Sequence, residues 1–164
     1  MTHEVLRAIR TRRVVRRMTE EPIEREQLIT ILEAAGRAPS GGNRRLHRGV
    51  AVQRPLTRRL LRMMSPGMLP HAAAVVVICI DWQRVAAYGV PRQNKVVYVD
   101  LGTALQTMLL AAHTLGLGAG PVMSFSKVAV RVMLNLPSHL SPEVLVCVGH
   151  PALRGLRPCA RVEG

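Results

Sequence analysis

The stretch Asp100–Phe125, DLGTALQTMLLAAHTLGLGAGPVMSF, places the tightest constraint on what this chain can fold into. Leu101, Leu105, Met108, Leu109, Ala112 and Leu115 recur at intervals of three and four, which lays a broad apolar stripe along an α-helix. Gly102, Thr103, Ala104, Thr107 and Ala111 on the other face are small or neutral, so the helix is expected to be buried nearly all round. Gly116, Gly118 and Gly120 are expected to stop it, because glycine accepts the positive φ of a helix C-cap. Pro121–Val122–Met123–Ser124 then continues as a short extended piece. Taken alone, the stretch is either a core helix with an ordinary C-cap or a helix that delivers an exposed backbone strip to a flat ligand.

A buried helix needs a core around it. The chain has 164 residues, 48% of them hydrophobic, which suits one domain over residues 1–164 and excludes a disordered segment. Aromatics make up only 2%, so aliphatic side chains and methionine must fill the interior. The net charge of +13 is carried mostly by arginine, and such a surface attracts phosphates or is simply a solvated basic face. Nucleic-acid binding is disfavoured by the scarcity of aromatics for base stacking and by the lack of a reader motif. Cys79 and Cys147 sit inside apolar runs and Cys159 in the tail, with no CxxC or Cys/His spacing suited to a metal. The opening MTHEVLRAIRTRR lacks the apolar core of a signal peptide, and Ala72–Ile80 is too short to span a bilayer. The expectation is a reduced, cytoplasmic protein without a membrane partner.

Val5, Leu6 and Ile9 indicate a short first helix, followed by Arg10–Arg17, a basic cluster that is either a solvated turn or an anion site. Glu24–Ala35 reads as a helix with Gly36 as its stop, and Ala38–Asn43 as a turn that frees the backbone. Gly49–Gln53 reads as a strand, Leu56–Met64 as a helix, and Ser65–Pro66–Gly67 breaks it. The run Ala72–Ile80 suits a central strand buried on both faces. Asp81–Val99 reads as an irregular connection, Ser126 caps a helix through about Leu134, Leu136–Pro142 is a loop, and Val144–Val148 is another buried strand. This mixture predicts an α+β fold, with a small mixed sheet and flanking helices around the buried central helix.

Three separated pieces resemble one family. Arg12–Arg13–Val14–Val15–Arg16 is similar to its early RRSxR motif, and Ala38–Pro39–Ser40 with Asn43 to its APSxxN loop. Gly116–Leu117–Gly118, Pro121–Val122, Leu136–Pro137 and Val148–Gly149–His150–Pro151 resemble its closing GLG…P…LP…GxP pattern. The family is the nitroreductase-like FMN-dependent oxidoreductases. The resemblance implies that Arg12, Arg13 and Arg16, with Arg157 or Arg161 from the tail, hold the FMN phosphate. It implies that Val14, Pro39 and Ser40 line the cofactor, and that Asn43 meets the pyrimidine edge of the ring. The strip Pro121, Val122, Met123 and Ser124 would supply a backbone N–H to the ring N5. Hydride chemistry resides in the cofactor, so no protein nucleophile is expected.

The implied activity is electron transfer from NAD(P)H to a nitro, quinone or similar conjugated acceptor in a ping-pong cycle. The implied assembly is a homodimer with FMN at the interface, or a higher assembly. There are departures. Val14 stands where the family often has serine, and Arg44–Arg45–Leu46–His47 stands where it often reads xQPW, so His47 replaces a bulky aromatic. The short Asp81–Val99 connection and the turn at Ser65–Pro66–Gly67 resemble the catalytic subunits of cyclic dipeptide oxidases, which implies a partner chain as an alternative. A non-enzymatic flavin-binding protein is a further alternative.

Overall fold

The chain is described here by a computed structural model, which covers residues 3–66 and 71–152. Valine and isoleucine dominate the middle of the molecule and dictate its layers. Strand β2 (Ala74–Asp81) is buried along its whole length, as the β-branched run requires. It pairs antiparallel on one side with β1 (His47–Val52) and on the other with β4 (Leu140–Gly149). Strand β3 (Gly118–Val122) pairs antiparallel with β4, which gives the sheet order β1-β2-β4-β3. Among the described residues, the parallel element is a single bridge between Val14 and Ala119.

Strand alternation sends neighbouring residues of β2 into two different cores. Ala74, Val76, Ile78 and Ile80 face helices α2 (Arg25–Arg37) and α5 (Val96–Thr114). Val75, Val77 and Cys79 face Leu61 of α3 (Pro55–Met63) and Val130 of α6 (Lys127–Met133). Burial pushes the Cys79 thiol up to about 12, so it serves as a small core residue. Helix α1 (Glu4–Thr11) lies against α5 and buries none of its residues fully.

Several expectations need correction. Helix α5 is not buried all round: Val97, Leu101, Ala104, Met108 and Ala112 form its inner face, whereas Tyr98, Val99, Gly102 and Gln106 are exposed. By length and composition it could cross a membrane, yet it packs here between α2 and the sheet. Of its three following glycines only Gly116, at φ 74°, ends the helix, while Gly118 and Gly120 lie inside β3. Gly36 does not stop α2, which runs on to Arg37 from a capping box between Glu24 and Gln27. Asp81–Val99 is not irregular throughout. It contains α4 (Trp82–Ala87), capped by the Asp81 carboxylate accepting from Arg84 N, and the first turn of α5. The predicted loop Leu136–Pro142 gives up its last residues to β4, and the Ser126 cap on α6 is observed.

Candidate flavin site

Helix α1 ends at Thr11, and Arg12 caps it with its N–H donating to Ala8 O at 2.9 Å. The chain then runs extended along β3, where Val15 N donates to Ala119 O at 3.0 Å. So close an approach is possible because β3 is glycine-rich. A Cβ at Gly118 would lie 2.7 Å from the Val15 side chain, and one at Gly120 would lie 2.7 Å from the Val15 carbonyl oxygen. The arm therefore seats its arginines beside the strand that leads to Pro121 and Val122. Met123 and Ser124 follow, both exposed at the strand's end. That end is pinned from α3: Ser65 Oγ donates to Ser124 O at 3.0 Å, and Ser126 N to Met64 O at 3.0 Å.

The arginines of the arm differ. Arg12 Nε is buried and has no partner, an unmet donor on a charged group. Arg13 folds back, Nη1 donating to Arg10 O at 2.8 Å and to Arg12 O at 3.0 Å. Arg16 is exposed, and Val14 is exposed beside its bridge to Ala119. An orphaned guanidinium donor with a second arginine near it suits a phosphate.

The loop Pro39–Asn43 is built by different anchors. Asp100, buried on α5, accepts from Gly41 N at 2.9 Å, and Thr103 Oγ1 donates to Pro39 O at 2.8 Å. Within the loop, Asn43 N donates to Ser40 O at 2.8 Å, and Arg45 N to Ser40 Oγ at 3.2 Å. Asn43 sits at φ 55°, a left-handed conformation that asparagine tolerates better than most residues, and its side chain is exposed. Asp100 and Thr103 are contributions that the sequence reading missed. The available signal was an acid interrupting the apolar face of a core helix.

The parallel bridge Val14–Ala119 sets the Arg12–Arg16 arm beside β3 with its Arg16 end toward Pro121, whereas Pro39, Ser40 and Asn43 are held on a separate loop. The loop is tied to Asp100 near the start of α5. The arm begins at Thr11, whose Oγ1 meets His113 Nε2 at 2.8 Å near the end of the same helix. Thirteen residues of helix separate these anchors, about 20 Å at 1.5 Å per residue. Arg157 and Arg161 lie outside the described residues.

Comparison with known proteins adds a lineage to this geometry. The profile of the Nitroreductase family matches residues 9–74 and 60–150. A Thermus thermophilus protein named NADH dehydrogenase is 32% identical over 88% of this chain and 85% of its own length. The Bacillus subtilis FMN reductase [NAD(P)H] is 28% identical over 94% of this chain and 69% of its own. Among solved structures, nitroreductase A from Vibrio parahaemolyticus superposes with a TM-score of 0.82 at 29% identity, covering 93% of this chain and 69% of that one.

Proposed function

The chain belongs to the nitroreductase family, and from that premise we propose that it passes electrons from NAD(P)H to nitroaromatic, quinone or similar conjugated acceptors in a ping-pong cycle. It is an NAD(P)H-dependent flavin oxidoreductase, and its cofactor is FMN. The observation that carries the site assignment is the buried, unpartnered Nε of Arg12 beside the glycine-rich strand. Bound FMN supplies the two-electron carrier between nucleotide and acceptor. Arg12, Arg13 and Arg16 would hold its phosphate, helped by Arg157 or Arg161 from the tail. The backbone of Pro121–Ser124 would offer an N–H to the ring N5, and Asn43 would meet the pyrimidine edge. Residues 1–164 serve as one flavin-binding domain, and the buried Cys79 thiol suits a reducing cytoplasm.

The Asn43 loop and the Arg12 arm are anchored about 20 Å apart along α5 of one chain, long for the two ends of a single FMN. A two-fold homodimer resolves this, because it sets Asn43 of the partner subunit against the Arg12 arm. The face available for such contact is apolar: Val5, Leu6 and Ile9 of α1 are exposed, as are Tyr98 and the 61%-exposed Val99 of α5.

The deciding experiment is anaerobic titration of the purified protein with NADH and with NADPH, followed at the flavin absorbance band. Bleaching by either nucleotide, and recovery on adding menadione or nitrobenzene, is the expected result. Parallel double-reciprocal plots would establish the ping-pong order. Bound flavin that neither nucleotide bleaches would favour the non-enzymatic alternative.

A second reading rests on the opposite face of the sheet. Leu56 and the 79%-exposed Met63 of α3, with Val128 and Val132 of α6, leave apolar side chains uncovered there. Such a surface favours a larger assembly or a partner chain, as in the cyclic-dipeptide-oxidase-like alternative. A homodimer that is inactive alone and gains turnover only in a larger complex would support it.

A further inference from the structure

We propose that the cleft between α2, β1 and α4 is a second ligand site, separate from the flavin, shaped for a compact aromatic carboxylate that carries a hydroxyl or N–H donor. The cleft encloses about 430 Å³, within the range of small-molecule sites. Its floor is apolar, formed by Leu32, Ile78 and Met108, and its rim carries Arg45, Arg48 and Arg84. Two rim guanidiniums are already engaged: Arg48 pairs with the buried Asp81 carboxylate at 3.2 Å, and Arg84 Nη2 donates to Arg44 O at 3.3 Å. That carboxylate offsets one positive charge and leaves a surplus over the opening. An anion above an apolar floor satisfies both features.

His47 supplies the donor requirement. Its Nε2 lies 3.3 Å from Ala35 O, a carbonyl that can only accept, so Nε2 carries the proton. Nδ1 is then an acceptor, and it is buried without a partner. Burial also holds the His47 pKa below its ordinary range, which keeps the ring neutral and Nδ1 available. A hydroxyl or N–H on the ligand would meet it.

The cleft lies at the β1 edge of the sheet, whereas the Arg12 arm lies on β3 at the other edge. Within one chain three inter-strand spacings separate the edges, about 14 Å, and in the proposed dimer the cleft meets the flavin surroundings only through the loop that joins Arg45 to Asn43. Arg45 N also donates to Ser40 Oγ, so a ligand against Arg45 would bear on the loop that carries Asn43.

The test uses the flavin-loaded protein with ¹³C-methyl methionine, titrated with 6-hydroxy-2-naphthoate and watched at the Met108 methyl resonance, which Met108→Leu identifies. A saturable shift is expected, with flavin absorbance retained. The neutral 2-naphthalenemethanol should bind about tenfold or more weaker, and Arg45→Ala should weaken the naphthoate by about tenfold or more. Gly36 lines the cleft, and a Cβ placed there meets nothing within 4 Å, so Gly36→Leu should fill the space and abolish the shift. A Met108 resonance that does not move, a shift that survives Gly36→Leu in folded protein, or equal binding of acid and alcohol would overturn the proposal. A shift that appears only as flavin is released would also overturn it, because the probe would then occupy the cofactor site.

Discussion

Arg12 leaves α1 with its Nε buried and unmatched, a costly arrangement unless an anion completes it. Replacing Arg12 and Arg16 together with alanine should therefore release FMN and leave the secondary structure intact. Each charge-assisted contact is worth about 1.5–3 kcal/mol, so flavin affinity should fall by well over about tenfold. Fluorescence of the ultrafiltrate measures the loss directly. His47 makes a different demand at the same scale. Burial lowers its pKa from the ordinary 6.5, so the unfolded chain binds a proton more readily than the folded one. Its contribution to stability is thus complete above about pH 6.5 and fades as pH falls toward the depressed folded value. His47→Gln, which cannot titrate, should show a smaller drop in urea midpoint between pH 7.5 and 5.5 than the unmodified chain.

At the scale of elements, the pairing of the Arg12–Arg16 arm with β3 depends on Gly120. A Cβ there meets the Val15 carbonyl oxygen at 2.7 Å, and backbone has little freedom to yield. Gly120→Ala should cost about 1–3 kcal/mol in denaturant unfolding and lower flavin retention together. These elements were unequally legible in the sequence. Strand β2 and helix α6 declared themselves, one by an unbroken β-branched run and the other by the Ser126 cap. Helix α4 did not, because six residues hold too few turns for a period to emerge, and its signal was the single Asp81 carboxylate. The arm was legible as a basic cluster, but not as a partner for β3. That pairing joins residues about a hundred positions apart, and glycine spacing alone does not say what approaches it. The exposed side of α5 was hidden for another reason: its residues are small or apolar, and composition cannot distinguish a core contact from a surface held for another chain.

Across the whole molecule, α5 sets the spacing of the site, with the Asn43 loop at its beginning and the Arg12 arm at its end. Light scattering should give twice the chain mass of 18.0 kDa for the flavin-loaded protein. Mixing chains carrying Arg12→Ala and Arg16→Ala with chains carrying Asn43→Ala should restore flavin binding. Each mixed dimer then has one unaltered site and one that bears all three substitutions. Recovery of bound flavin after mixing two separately impaired preparations is the measurement, and its absence would place both residue sets in one chain's own site. The separation along α5 also has a mass-action consequence. In the homodimer proposed above, each cofactor would sit between two chains, so holoprotein and assembly would share one equilibrium and the holo complex would form in proportion to the square of free chain concentration. Dilution should release oxidised FMN, read as a rise in flavin fluorescence, and a cell that makes little of this protein would hold most of it without cofactor.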